Sequence, residues 1–111
     1  MTAQEIFDRV ACHLLAQADK AQEYGICKYV DSSGLQCAIG CLIPPGHEAM
    51  ASDSFVCELV ESFPDLPFAG ASIDLLRALQ RVHDSSEVWS WSMNLAAVAA
   101  RWRLDPAAAE A

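Results

Sequence analysis

The segment from Gly25 to Pro45, GICKYVDSSGLQCAIGCLIPP, holds Cys27, Cys37 and Cys41 and is the one stretch of this chain without a clear helical period. Everything else reads as helices that must pack around it, so its conformation decides the fold. From Leu35 to Ile43 the residues Leu35, Cys37, Ile39, Cys41 and Ile43 alternate with Gln36, Ala38, Gly40 and Leu42, which is the period of a strand with one face in a core. Ile26 to Val30 precedes it, and Asp31-Ser32-Ser33-Gly34 between the two has turn chemistry. A small central β-hairpin is the first expectation. A short helix through Cys37 to Leu42 competes with it. Leu35, Ala38, Ile39 and Leu42 also share a helical face, and Pro44 and Pro45 would stop such a helix. Gly40 weakens both readings.

The flanking helices are easier to read. Thr2 followed by Glu5 is a capping box, and Ile6, Phe7, Val10, Ala11, Leu14 and Leu15 make one apolar face, which predicts a helix over Ala3 to Gln17. Ser54 or Asp53 is placed to cap a second helix with Val56, Leu59, Val60 and Phe63 inward, ended by Pro64. Ser72 caps a third with Leu75, Leu76, Leu79 and Val82 inward. Ser85 or Ser86 opens a fourth, with Val88, Trp91, Leu95, Val98 and Trp102 inward. Trp89, Met93, Ala96 and Ala100 lie on a neighbouring face of that helix, which raises the expectation of a homodimer with Trp89 in its interface. The expected fold is therefore mainly α with a small β element: a single domain over 1–111, about four helices around the cysteine segment, and a frayed tail over 105–111.

A chain of this length with 53% hydrophobic residues can bury a core without staples. The formal charge is −8, and no Lys or Arg stands between Tyr29 and Leu76, where Asp31, Glu48, Asp53, Glu58, Glu61, Asp65 and Asp74 all fall. Such a surface repels phosphate backbones and anionic lipid, so direct nucleic-acid and membrane roles are not expected, whereas a basic protein partner is. Glu58, Glu61, Asp65 and Trp89 are the candidate partner-binding residues. No apolar run is long enough to span a bilayer, and the first helix begins at once with Glu5 and Asp8, so a cytoplasmic location is expected. An odd, unevenly spaced set of cysteines argues for reduced thiols.

Two kinds of chemistry are open to the cysteine segment. Cys27, Cys37, Cys41 and His47 could ligate zinc, which needs donor sulfurs within about 4 Å of one another. On a strand Cys37 and Cys41 would stand about 13 Å apart, whereas on a helix they lie one turn apart. The spacing lacks paired C-x2-C knuckles, and buried free thiols are the ordinary alternative, so no cofactor is expected. A nucleophilic thiol is the other possibility, with Cys41 or Cys37 activated by His83 beside Asp84. His13, near the face of Ile6 and Val10, reads as a partly buried histidine with a backbone partner. Arg77, Arg81, Arg101 and Arg103 around Trp102 make a small basic cluster, expected to pair with Asp74, Asp84 and Glu87.

Gln4-Glu5-Ile6-Phe7 with His13-Leu14-Leu15, then Cys27-Lys28-Tyr29, then Gly34-Leu35-x-Cys37-Ala38-Ile39-Gly40-Cys41-Leu42-Ile43-Pro44, then Leu79-Gln80-x-x-His83-Asp84 make up a pattern. It resembles a group of small uncharacterised proteins encoded by bacteriophages, prophages and proteobacterial genomes. The likeness runs up to the fourth helix, the cysteine motif is its most specific part, and the connector after Pro45 departs from it. The resemblance implies a phage or bacterial context and no catalytic residues. Together with size and charge it leads to the expectation of an acidic accessory protein that binds a host protein, with anti-CRISPR and other anti-defence inhibitors as the subclass. A small thiol-dependent enzyme or zinc-stabilised module centred on Cys37 and Cys41 is the alternative.

Overall fold

A computed structural model of the chain describes residues 1–19, 22–23, 26–27, 29–31, 33–52, 54–85 and 87–110. Among them are five α-helices: α1 Ala3–Gln17, α2 Val56–Ser62, α3 Ile73–Ser85, α4 Trp91–Trp102 and α5 Ala107–Glu110. Short 3-10 turns at Gly40–Leu42, Glu48–Ala51 and Val88–Ser90 link them. The mainly helical expectation holds.

At the start of α1 the Glu5 N–H donates to Thr2 Oγ1 at 3.1 Å and the Thr2 N–H returns a bond to Glu5 Oε1 at 2.8 Å. Two donors that the first helical turn would leave unpaired are thereby satisfied. The helix then buries Ile6, Phe7, Val10, Ala11 and Leu14, and Ala18 closes it in a left-handed conformation, φ 51°, its N–H returning to Leu14 O. α1 packs on α3, α4, α5 and the Gly40–Leu42 turn, which places it at the middle of the fold. α3 and α4 form a helical hairpin in which Leu75, Leu76, Leu79, Trp91, Leu95 and Ala99 are fully buried. Each of the larger side chains contributes about 1.5–3 kcal/mol by leaving water.

The central hairpin does not form. β structure among the described residues is a two-residue antiparallel pair, β1 Gln22–Glu23 with β2 Ile26–Cys27, and one bridge between Val30 and Gln36. The turn itself is as expected: Asp31 Oδ1 accepts from Ser33 and Leu35 N–H at 2.8 and 3.0 Å, and Gly34 takes φ 86°. After Gln36, however, the chain coils. The Cys41 N–H donates to Cys37 O, Leu42 N–H to Ile39 O and Ile43 N–H to Gly40 O. Burial explains this: Cys37, Ala38, Ile39, Gly40, Leu42 and Ile43 are all inside, so the alternation does not separate a wet face from a dry one. Gly40 sits directly against the Tyr29 backbone, where a Cβ would overlap the Tyr29 carbonyl.

Two caps differ from expectation. α2 starts behind Phe55, whose side chain has no acceptor to cap it, while Ser54, one residue earlier, is hydrogen-bonded through Oγ to Ser52 Oγ at 2.7 Å; Asp53 lies outside the described residues. α4 is entered through the Val88–Ser90 turn with Ser90 before its first residue; Ser85, expected to open it, ends α3 instead, and Ser86 lies outside the described residues. The tail, expected to fray, is docked through residue 110. Asp105 N–H donates to Gln4 Oε1 at 2.9 Å, Ser92 Oγ donates to Ala109 O at 2.6 Å, and Ala109 is 1% exposed.

Candidate functional site

Gln17 and His13 anchor the cysteine segment to α1. Gln17 Oε1 accepts from Gln36 N–H at 2.9 Å and Gln17 Nε2 donates to Gln36 O at 2.8 Å, so its amide serves as a strand partner would. The same carbonyl lies 3.0 Å from His13 Nε2, which therefore carries the proton. The half-buried His13 has the backbone partner the sequence suggests.

α3 holds the other side. Gln80 Oε1 accepts from Ile39 N–H at 3.2 Å, and Gln80 Nε2 donates to Asp84 Oδ1 at 2.8 Å. The same oxygen lies 2.7 Å from Nδ1 of His83, whose fully buried ring stacks on Trp91 at 5.6 Å between centroids. His83 and Asp84 thus do form a bonded pair beside the cysteine turn. The thiols, however, are held as thiols. Cys37 Sγ accepts from Gly40 N–H at 3.3 Å and is fully buried, and desolvation pushes its pKa up to about 12. Cys41 Sγ donates to Ala38 O at 3.1 Å, and burial likewise pushes it up to about 12, with Arg9 opposing only in part. Thiol chemistry needs thiolate, and such groups supply almost none near neutral pH. Tyr29 is raised too, by burial first and then by Cys37, and its hydroxyl donates to Ser54 O at 2.6 Å.

The metal candidates are not brought together. Cys27's side chain lies outside the described residues. His47 uses both ring nitrogens: Nδ1 accepts from Ala49 N–H at 3.0 Å, so Nε2 carries the proton and donates to Asp65 Oδ2 at 2.8 Å. Among the described residues no group of three or more His, Cys, Asp and Glu side chains is placed to hold a metal ion.

Of the partner-binding candidates, Glu58 and Glu61 are exposed on α2 and Asp65 follows in the next turn. Asp65 is less free than expected: the His47 hydrogen bond holds its carboxyl below the usual range, and His47 also meets Phe63 edge to face. Trp89 is 80% exposed, with Met93 65% exposed one turn on. The sequence reading missed Phe55, 77% exposed at the start of α2 and three residues before Glu58. Its position off the Val56, Leu59, Val60, Phe63 stripe was the available signal.

The basic cluster also departs from expectation. Among the described residues the ion pairs are His47–Asp65 and His83–Asp84, and none joins Arg77, Arg81, Arg101 or Arg103 to a carboxylate. Among the described residues no helix is long and apolar enough to cross a membrane. Comparison with protein-family models, curated proteins and solved structures finds no match.

Proposed function

We propose that this chain works by binding another protein, as a small acidic accessory factor of phage or prophage type that inhibits or modifies a host protein. Anti-defence inhibition, of the anti-CRISPR kind, is the subclass that its size, charge and sequence resemblance favour. The observation that carries the reading is Phe55, a large apolar side chain standing 77% exposed at the head of α2, with Glu58 and Glu61 exposed behind it. An apolar anchor rimmed by acids suits a basic surface with a pocket, where the anchor supplies affinity and the charges supply approach rate and selectivity.

The thiol-enzyme alternative is less well supported, because Cys37 and Cys41 are buried and strongly held as thiols. The test compares the native chain with a Glu58→Gln, Glu61→Gln variant for retention of a partner from bacterial lysate at low salt. Reduced retention is expected. Equal retention by the two proteins would remove the acidic face from the mechanism.

A further inference from the structure

We propose that the groove between α3 and α4 binds a small organic carboxylate with an apolar body, a site separate from the protein-binding surface above. The groove is open to solvent and offers about 250 Å³. Ala78 on α3 faces it together with Ala97 on α4, and these side chains are too small to close the space between the helices. Val82 and Val98 add to its apolar lining, and Arg81, Asn94, Arg101 and Trp102 line it as well.

The arginines identify the ligand. Four of the seven basic residues of the chain, Arg77, Arg81, Arg101 and Arg103, fall on or beside these two helices in a protein of net charge −8. Arg81 and Arg101 are exposed, and among the described residues neither has a carboxylate within ion-pair distance. The Arg101 guanidinium lies over the Trp102 ring, 4.8 Å from its centroid, which restricts the fork before any ligand arrives. A planar fork of fixed N–H donors matches a carboxylate, with two parallel bonds per group.

Size and charge narrow the class further. Pockets for drug-sized ligands run from about 300 Å³ upward, so this groove takes roughly ten non-hydrogen atoms and no folded segment. The acidic field of the rest of the protein opposes polyanions such as oligonucleotides and polyphosphates more steeply than it opposes one charge. Among anions a monocarboxylate loses least to that field, and its apolar body gains from the lining of Ala78, Val82, Ala97 and Val98.

The experiment is calorimetric and NMR titration of the whole chain with phenylpropionate and, as the uncharged isostere, phenylpropionamide. Saturable binding of the acid is expected, with backbone shifts confined to α3 and α4. Affinity should fall by about tenfold or more for the amide, and likewise for Arg81→Gln and for Arg101→Gln, as loss of a charged hydrogen bond dictates. Both arginines are on the surface, and an unchanged melting temperature would confirm that each variant is folded. No saturable binding, equal binding of the amide, or undiminished binding by both variants would overturn the proposal.

Discussion

The Gly40 N–H points at Cys37 Sγ across 3.3 Å, so the sulfur at the centre of the fold is committed to its own turn. Cys41, one turn on, is committed to Ala38 O. Both thiols should be silent to a maleimide in the native protein, while the exposed Cys12 reacts at least about tenfold faster. Mass mapping of the labelled, reduced chain reads this directly. Labelling of Cys37 or Cys41 as fast as Cys12 would restore the thiol enzyme.

The same thiols set an alkaline limit. Their pKa is about 12 folded against about 9 for an ordinary thiol, so the unfolded chain releases these protons first as pH rises. Their contribution is complete below about pH 9 and is lost as pH climbs through 12. Denaturant midpoints should fall over that window, and less so in a Cys41→Ser variant; identical slopes would contradict the assignment.

Gly40 has no room for a side chain, since the Tyr29 carbonyl occupies the place of its Cβ. Gly40→Ala should destabilise by about 1–3 kcal/mol, the usual cost of overpacking against rigid backbone. Gly70→Ala, where nothing lies within 4 Å, should stay within about 0.5 kcal/mol. Chemical denaturation of the two variants distinguishes them, and equal midpoints would refute the close approach.

Two carboxylates act in acid. Thr2, by hydrogen bonding, lowers Glu5, and His47 lowers Asp65. A depressed folded pKa gives stability that is present above the ordinary carboxylate range and lost as pH falls through the folded value. The double variant Glu5→Gln, Asp65→Asn should therefore be less stable near neutral pH and lose less on acidification. Removing the cap by Thr2→Ala should cost about 1 kcal/mol, and an unchanged melting temperature would argue against the capping box.

Self-association, where concentration drives it, is expected through Trp89, in the Val88–Ser90 turn, and Met93, in the first turn of α4, both of which are exposed. Trp89→Ser should shift sedimentation velocity profiles toward monomer. A self-associating protein whose distribution ignores that change would place the interface elsewhere.

The helices were legible because their signals are local: Thr2 with Glu5, the stripe of Ile6, Phe7, Val10 and Leu14, and the Leu75 to Val82 stripe depend on neighbours within a turn or two. The cysteine segment was legible only as two alternatives, a hairpin or a short helix through Cys37 to Leu42, and the helical one is taken, as a turn over Gly40–Leu42. Its alternation from Leu35 to Ile43 resembled a strand, but Gln17, Gln80 and the Tyr29 backbone contact it at Gln36, Ile39 and Gly40, and burial of residues from both alternating sets removes the meaning of that period. The tail misled for a related reason. Three alanines and a proline show little intrinsic tendency to dock, and the Gln4 side chain that holds Asp105 lies a hundred positions away. The exposed Phe55 and the unpaired arginine groove likewise depend on which neighbours tertiary packing supplies.

Partner binding through Phe55 and the α2 acids is read by capture from bacterial lysate at low salt, using tagged native protein and a Phe55→Ser, Glu58→Gln, Glu61→Gln variant, with quantitative mass spectrometry. A stoichiometric protein partner is expected, dissociating as salt rises and held about tenfold less by the variant. A partner held equally by both proteins and at all salt concentrations, or none retained by the native chain, would contradict it.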